Sequence, residues 1–237
     1  MSPTSPPLSD LAARQLAELA LTVGRPLLMT DADEVQLYFS RHFEDYLGRN
    51  GIVADFRSYE LLGNLREAAS GRVLDRPEIF ELVDGFFAAE ATRQTPVEGA
   101  AEALAELSEI AQIVVLTNVP VAQHVLRQEM LRDFHMDYPV VVNTGLKGPV
   151  VRAMACRALA PSAFVDDIDR HHQSVAADSP ETFRLHFIAD PRLAGMAPRA
   201  EHCHHRCDRW PEAATLLLRH LTGHLTRQPD GKRRTGG

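Results

Sequence analysis

The chain of 237 residues contains very little lysine and cysteine. Lys147 and Lys232 are its only lysines, and every other long basic side chain is arginine. The three cysteines are too few for a disulfide framework in a chain of this size, and their odd number is typical of a reducing compartment; they are Cys156, Cys203 and Cys207. The cysteine content therefore predicts a cytoplasmic protein.

The chain also lacks a long apolar run and a positive net charge, and its first residues do not predict a signal peptide. No stretch approaches the ~20 apolar residues that a membrane-spanning helix needs. Residues 1–10 are rich in serine and proline, without the basic and apolar regions of a signal peptide. The formal net charge of -7 provides no general attraction to polyanions. We therefore expect neither a nucleic-acid nor a membrane partner, and the sequence leaves the oligomeric state open.

The remaining pattern is that of an ordinary globular protein, with 45% hydrophobic and 24% charged residues. Short apolar runs of strand character alternate with helical patterns along the chain. The runs lie at residues 27–30, 113–116, 139–142, 163–165 and 184–188. Because such alternation is typical of parallel sheets with helical crossovers, we predict an α/β fold with a Rossmann-like, doubly wound parallel sheet.

One block interrupts the alternation. Residues 36–94 contain only helical patterns, notably at 59–69 and 77–91, so we predict a small helical cap inserted after the first strand. The core then comprises residues 11–35 and 95–225, with Thr95 and Glu98 opening a helix as a capping box. We expect a disordered lead over residues 1–10 and a disordered tail over 226–237.

Polar residues follow four of the predicted strand regions. Because the carboxyl ends of parallel strands share one edge of a sheet, these residues are expected to lie close together. They are Asp31 and Asp33 after the first strand, Thr117 and Asn118 after the second, Lys147 in the loop after the third, and Asp166 and Asp167 after the fourth. Each signal is weak alone, since an Asp-x-Asp is most often a solvated turn.

The combination resembles the haloacid dehalogenase-like hydrolase superfamily, phosphatase type. The motifs of that superfamily are an apolar strand ending in Asp-x-Asp, a strand ending in Thr or Ser, a Lys, and a strand ending in acids. Here they read LLMTDADEV, IVVLTN, NTGLKG and AFVDDID, and the match spans residues 27–188. The resemblance implies a phosphomonoester hydrolase for a small phosphorylated metabolite, with the cap selecting the substrate.

The resemblance also implies roles for the residues. Asp31 would be the nucleophile that forms an aspartyl-phosphate, and Asp33 would act in turn as general acid and general base. Thr117 would hold a phosphate oxygen, with the backbone N–H of Asn118 beside it. Lys147 would supply a compact positive charge that offsets the nucleophile and the phosphate.

A Mg²⁺ ion is the implied cofactor, held by Asp31, the backbone carbonyl of Asp33, and Asp167. Oxygen ligands of this kind suit Mg²⁺, which usually keeps waters and a substrate phosphate in its shell. Asp166 occupies a position where many relatives have Gly, and it would bind the metal directly or through water. For Asp169 we favour a helix cap over a metal ligand.

Other interpretations stay open. One is a binding or regulatory protein with this fold and little turnover. The complete set of acids and the lysine argues against it. A dehalogenase is less favoured, because Asp33 stands where those relatives lack a second acid. His171 stands where many relatives carry a further acid, which leaves the outer metal shell open. Residues 201–208, EHCHHRCD, offer imidazole and thiol groups, but no second ligand pair stands elsewhere, so we expect an exposed polar loop there.

Overall fold

The computed structural model describes residues 8–223, and its centre is a six-stranded sheet. The strands are β1 (Leu27–Thr30), β4 (Gln112–Thr117), β5 (Val140–Val142), β6 (Ser162–Asp166), β7 (Phe183–His186) and β8 (His205–Arg206). Their spatial order is β5-β4-β1-β6-β7-β8, and all five pairings are parallel. The predicted parallel sheet is confirmed, and β8 is a strand that the sequence pattern did not indicate.

Helices cover both faces of this sheet. They are α1 (Asp10–Glu18), α4 (Ala100–Ser108), α5 (His124–Asp133), α6 (Gly148–Ala158), α7 (Asp169–Asp178), α8 (Pro191–Ala194) and α9 (Trp210–Leu221). Successive residues of β1 point to opposite faces: Leu27 and Met29 pack with α1 and α6, whereas Leu28 packs with the core that includes α4 and α9. Burial on both faces explains why the central strands are continuously apolar. The doubly wound α/β class is therefore confirmed.

The segment between β1 and β4 is of mixed structure. It contains α2 (Ser40–Arg49), the antiparallel strands β2 (Ile52–Ala54) and β3 (Leu65–Glu67), α3 (Arg76–Glu90) and a 3₁₀ turn at Ala91–Arg93. We call residues 36–94 the inserted segment. The helix predicted over 77–91 corresponds to α3, and the aromatic rings of α2 and α3 pack together, with Phe43 and Phe86 5.6 Å apart.

The helix predicted over residues 59–69 is wrong. Leu65 to Glu67 pair with Ile52 to Ala54, and further backbone bonds of Asp55 and Ala68 extend the hairpin. Gly51 and Gly63 have positive φ angles of 71° and 87°, a backbone conformation that interrupts a right-handed helix. Long-range strand pairing overrides the local helical spacing here. The domain boundaries at 35/36 and 94/95 stay predictions.

The helix start predicted at Thr95 is also wrong. Helix α4 begins at Ala100, and Thr95 to Val97 are extended because they pair with the chain leaving β1. Tyr38 N donates to Thr95 O at 2.9 Å, and Val97 N donates to Gln36 O at 2.8 Å. The outgoing and returning linkers of the inserted segment therefore lie side by side, directly above the end of β1.

The terminal predictions lie largely outside the described residues. Residues 1–7 and the whole predicted tail, 226–237, are not described. Helix α1 begins at Asp10, where Ser9 Oγ accepts a hydrogen bond from Ala12 N. Within residues 8–223, no helix combines the length and the apolar character needed to cross a bilayer.

Candidate active site

Asp31 lies where the buried strand β1 ends. Its backbone N donates to Val165 O of β6 at 2.9 Å, which fixes the residue at the carboxyl edge of the sheet. One carboxylate oxygen, Oδ1, accepts from Ala32 N at 2.7 Å, and Oδ2 lies 2.9 Å from Lys147 Nζ. Only 7% of the residue is exposed. A carboxylate in this position is oriented by a neighbouring N–H and neutralised by a cation.

Lys147 is completely buried between two carboxylates. Its Nζ lies 2.9 Å from Asp31 Oδ2 and 2.7 Å from Asp166 Oδ2. Burial by itself lowers the pKa of Lys147, but the two carboxylates outweigh this effect and raise the pKa above its usual value. The lysine is therefore a fixed ammonium at the centre of the site.

The position of Lys147 depends on the close approach of two helices. Gly148, the first residue of α6, packs so tightly on α7 that an added Cβ would collide with Ser174 and Asp178. Gly148 N also donates to Ser174 Oγ at 3.1 Å. A residue with a side chain at position 148 would push the lysine loop away from the sheet edge.

Three buried acids form a cluster around this lysine. Asp31, Asp166 and Asp167 place ligand oxygens within 4.8 Å of one another. Burial is the largest cause that raises the pKa of Asp31 to about 7; Lys147 opposes this rise, and the Asp166 and Asp33 carboxylates add to it. Burial and the charges of Asp166 and Asp31 likewise raise the pKa of Asp167 well above its usual value. Fully ionised, the three carboxylates would carry more negative charge than one lysine offsets.

Asp166 and Asp167 differ in their contacts. Asp166 uses both oxygens within the protein: Oδ2 accepts from Lys147, and Oδ1 accepts from Ile168 N at 2.9 Å. Burial raises the pKa of Asp166, but Lys147 together with the nearby His171 and His172 outweighs burial and lowers the pKa overall. Asp167 accepts a hydrogen bond at Oδ2 from the hydroxyl of Tyr59, 2.5 Å away. Asp166 is thus mainly a partner of Lys147, whereas Asp167 faces the inserted segment.

The donor set fits a hard divalent cation. Three carboxylates that repel one another in a buried site are suited to a small cation with oxygen ligands, such as Mg²⁺. Among residues 8–223 this is the one group of acids, histidines and cysteines whose ligand atoms lie close enough to share a metal. The cysteines and histidines of residues 201–208 form no such group, so the metal interpretation of that segment is not supported.

The 201–208 segment is structural. Cys203 and Cys207 are buried, and His205 and Arg206 form β8 against β7. His204 Nδ1 accepts from Arg184 N at 3.0 Å. The expected exposed polar loop is therefore only partly correct: His204 and His205 are exposed, but Cys203 and Cys207 are buried on either side of them.

Thr117 and Asn118 lie at the end of β4. Thr117 is fully buried, and its hydroxyl has no hydrogen-bond partner among the described residues. Asn118 is exposed; its Nδ2 donates to Gly145 O at 2.8 Å, and its Oδ1 accepts from Asn143 Nδ2 at 3.0 Å. Asn118 therefore ties the loop that carries Lys147 to the end of β4, whereas the Thr117 hydroxyl is left available for a ligand.

Asp33 is close to Asp31 but has different partners. The chain makes one tight turn after Asp31, in which Gln36 N and Leu37 N both donate to Ala32 O. Asp33 Oδ1 accepts from Gln94 Nε2 at 2.7 Å and from Arg127 Nη2 at 3.0 Å. Sequence reasoning missed both partners, because nothing in the sequence distinguishes this glutamine and this arginine from surface residues.

Two buried histidines form hydrogen bonds with the backbone of Asp166 and Asp167. His172 Nε2 donates to Asp166 O at 2.9 Å, and His186 Nε2 donates to Asp167 O at 3.0 Å. Burial lowers the pKa of His171 and of His186 to about 4, so both are neutral imidazoles. Asp169 does not cap α7, because the N-cap residue of that helix is Ile168. Instead, Oδ1 of Asp169 accepts a hydrogen bond from Glu201 N at 3.0 Å. Local spacing suggested the cap, but a long-range contact uses the carboxylate.

A cleft of about 790 Å³ opens beside the cluster, between the inserted segment and the core. Tyr59 and Asp167 are among the residues that line it. Its other walls come from the loop between β2 and β3, the start of α3, and residues 197–201. The lining is mixed, with apolar groups such as Phe56, Leu61 and Phe80 beside charged ones.

Comparison with solved structures identifies the fold. A haloacid dehalogenase-like family hydrolase from Streptococcus pneumoniae is 13% identical, with a TM-score of 0.57 over 81% of this chain and 98% of its own. A predicted phosphatase from Clostridium acetobutylicum is 13% identical, with a TM-score of 0.56 over 82% and 99%. A predicted phosphoglycolate phosphatase from Haemophilus somnus is 15% identical, with a TM-score of 0.53 over 83% and 99%.

No protein-family model and no curated protein matches the sequence. At identities of 13% to 15%, the likeness to these structures is a likeness of fold. The chain therefore has a haloacid dehalogenase-like fold, as the four motifs implied, and the residues of its site must carry any argument about chemistry.

Proposed function

We propose that this chain, which has the fold of the haloacid dehalogenase-like hydrolases, is a Mg²⁺-dependent phosphomonoester hydrolase for a small phosphorylated metabolite. One observation carries the proposal: the buried ammonium of Lys147 lies between Asp31 and Asp166 at the carboxyl edge of the sheet. Two of the similar structures are described as predicted phosphatases. The reaction would proceed through an aspartyl-phosphate on Asp31.

Asp31 is suited to be the nucleophile. Ala32 N and Lys147 hold its two oxygens in a defined orientation, and an oriented carboxylate can attack phosphorus in line with the leaving oxygen. The attack needs the ionised form. Because the pKa of Asp31 is raised to about 7, part of the carboxyl group is protonated near neutral pH. A bound cation would lower this pKa and so favour the ionised form.

Thr117 and Lys147 would hold the phosphoryl group. Phosphoryl transfer depends mainly on positioning and on neutralising the charge of the transferred oxygens. The Thr117 hydroxyl is buried without a partner, and a phosphate oxygen would satisfy it. The Lys147 ammonium would offset the charge of the phosphate as it does that of Asp31.

Asp33 would move the protons. As a carboxylic acid it would protonate the leaving oxygen while the P–O bond breaks. As a carboxylate it would then take a proton from the water that attacks the aspartyl-phosphate, which releases phosphate and restores Asp31. Its side chain is partly exposed, at 18%, so it can meet both substrate and water.

Asp31 and Asp167 would hold the Mg²⁺ ion, with the backbone carbonyl of Asp33 as a further ligand, and Asp166 would bind the ion directly or through water. The bound ion would neutralise charge on the carboxylates and on the transferred phosphoryl group. We propose a cytoplasmic location, which the three free cysteines support.

The inserted segment would select the substrate, since it forms one wall of the cleft beside Asp167. A cleft of about 790 Å³ has room for a compact metabolite. No observation in the site favours a dehalogenase or a protein without turnover, and the complete set of charged groups favours the hydrolase.

Phosphate release from p-nitrophenyl phosphate tests the proposal. Purified protein with Mg²⁺ should release phosphate, EDTA should stop the release, and Asp31→Asn should abolish it. Asp137→Asn, a change of an exposed acid before β5, is the control and should retain turnover. Acid quenching followed by mass spectrometry should locate a phosphoryl group on Asp31. Inactivity of the wild type across a panel of phosphorylated metabolites, or full activity of Asp31→Asn, would refute the proposal.

A further inference from the structure

Two buried side chains from distant parts of the chain bind the carboxylate of Asp33. Arg127 Nη2, from α5, lies 3.0 Å from Asp33 Oδ1 and 3.1 Å from Oδ2. Gln94 Nε2, from the returning linker, lies 2.7 Å from Oδ1. Arg127 and Gln94 also bind each other, because Nη2 donates to Gln94 Oε1 at 3.1 Å. The three side chains form one closed network.

The burial of Arg127 lowers the stability of the folded protein. Its side chain is 1% exposed, and Nε and Nη1 have no hydrogen-bond partner among the described residues. The ring of Phe87 lies 5.7 Å from the guanidinium carbon, which places the cation beside the aromatic residues of α3. Burying a guanidinium with unpaired nitrogens lowers stability. Among the described residues, Asp33 is the one carboxylate that forms an ion pair with Arg127, so it is the contact that compensates the buried charge.

Gln94 connects this network to the inserted segment. It directly follows the 3₁₀ turn Ala91–Arg93 and precedes Thr95, whose carbonyl accepts from Tyr38 N. Gln94 Nε2 also approaches Tyr38 O, at 3.4 Å. Any shift of the two linkers would therefore move a donor that holds Asp33.

We propose that Arg127 and Gln94 are positioning residues that hold Asp33 in the orientation for proton transfer, and that Gln94 makes this orientation depend on the seating of the inserted segment. The inference rests on the proposed function. In the first step the proton of Asp33 goes to the ester oxygen as the bond from Asp31 to phosphorus forms and the P–O bond breaks. In the second step water attacks phosphorus and gives one proton to Asp33, while the bond from Asp31 to phosphorus breaks and phosphate is released.

A positioning role has a specific kinetic signature. A good leaving group departs as an anion without help, whereas a poor one needs a proton from the acid. Loss of Asp33 orientation should therefore slow poor leaving groups selectively. General loss of folding or of phosphate binding would slow all leaving groups alike.

The experiment compares p-nitrophenyl phosphate with phenyl phosphate, which has nearly the same shape but a poorer leaving group. The quantity measured is kcat/KM, which reports the steps through formation of the aspartyl-phosphate. In Arg127→Met we expect kcat/KM for phenyl phosphate to fall about tenfold or more, while kcat/KM for p-nitrophenyl phosphate changes by less than about threefold. For comparison, complete loss of acid catalysis typically lowers a rate ~100- to 10,000-fold. Gln94→Leu should show the same selectivity, to a smaller degree.

Three controls separate positioning from stability. Arg184→Met removes another buried arginine, whose donors bind the carbonyl oxygens of His202, Pro180 and Thr182, and it should leave the ratio of the two substrates unchanged. Arg127→Lys should restore part of the ratio. In an Asp33→Asn background, Arg127→Met should change the ratio no further, because the group that it positions is already lost.

The outcomes distinguish the inference from the proposed function. Equal losses on both substrates in Arg127→Met and Gln94→Leu, or a further change of the ratio in the Asp33→Asn background, would overturn the positioning role while the hydrolase stands. A wild type without turnover on either ester would overturn both. Circular dichroism confirms that each variant is folded, and if Arg127→Met does not fold, Gln94→Leu decides the matter.

Discussion

Replacing Asp31 by Asn should stabilise the metal-free protein at alkaline pH. Burial, together with the nearby carboxylates of Asp166 and Asp33, raises the pKa of Asp31 from 3.8 to about 7 despite the opposing effect of Lys147. Between these two pH values the folded protein holds a proton that the unfolded chain has released. The free energy of unfolding therefore falls as the pH rises from about 4 to about 7, and this contribution is constant above that range.

The size of the effect follows from the shift. A rise from 3.8 to about 7, at roughly 1.36 kcal/mol per pKa unit, corresponds to about 4 kcal/mol at pH 8. Asparagine carries no charge at any pH and therefore removes this cost. Lys147 loses one partner in the variant but keeps Asp166 at 2.7 Å, which reduces the gain. We expect Asp31→Asn to be more stable than the wild type by up to about 4 kcal/mol at pH 8, and equally stable near pH 4.

Urea denaturation at pH 4, 6 and 8 in EDTA measures this difference. Asp137→Asn, which changes an exposed acid, should follow the wild type at each pH. Adding Mg²⁺ at pH 8 should narrow the gap, because an ion that binds only the native state stabilises it and the wild type offers the full set of carboxylates. Equal stability of wild type and variant at pH 8, or a gap that does not change with pH, would refute the reasoning.

Two further changes test the packing and the access of the site. Gly148→Ala should lower the free energy of unfolding by about 1–3 kcal/mol and reduce turnover, because the new Cβ collides with Ser174 and displaces the lysine loop. Urea denaturation and kinetics measure the two effects. The control is Gly48→Ala, where an added Cβ meets nothing within 4 Å. Tyr59→Phe removes the hydroxyl that donates a hydrogen bond to Asp167 Oδ2. Isothermal titration calorimetry should then show Mg²⁺ binding about two- to tenfold tighter, in line with a hydrogen bond worth ~0.5–1.5 kcal/mol.

Each of these changes can fail in a recognisable way. Unchanged stability and kinetics in Gly148→Ala would mean that the contact between α6 and α7 does not position Lys147. Weaker Mg²⁺ binding in Tyr59→Phe would mean that the tyrosine helps to orient Asp167 rather than competing with the ion. Tyr138→Phe, at a tyrosine outside the site, should leave Mg²⁺ binding unchanged.

Local patterns predicted five of the six strands and the residues at the carboxyl edge of the sheet, but not the short edge strand β8. The continuous apolar runs that became β1, β4 and β6 are buried on both faces, and a polar residue can follow such a run only where the strand leaves the core. Because the strands are parallel, their ends meet at one edge, and the ligand oxygens of Asp31 and Asp167 lie there within 4.8 Å of each other. The scarcity of lysine singled out Lys147, which lies at the centre of the site.

The tertiary structure alone decided which partner each of these residues has. Asp33 is held by residues 61 and 94 positions away, and no periodicity reports such a contact. The β2–β3 hairpin and the extended Thr95 likewise result from pairing with distant backbone, which outweighs local helical spacing. Asp166 and Asp167 are adjacent in sequence, yet one binds Lys147 and the other binds Tyr59 of the inserted segment. Sequence determined the groups at the edge because burial has a local signature, whereas packing of distant segments decided their orientation and protonation.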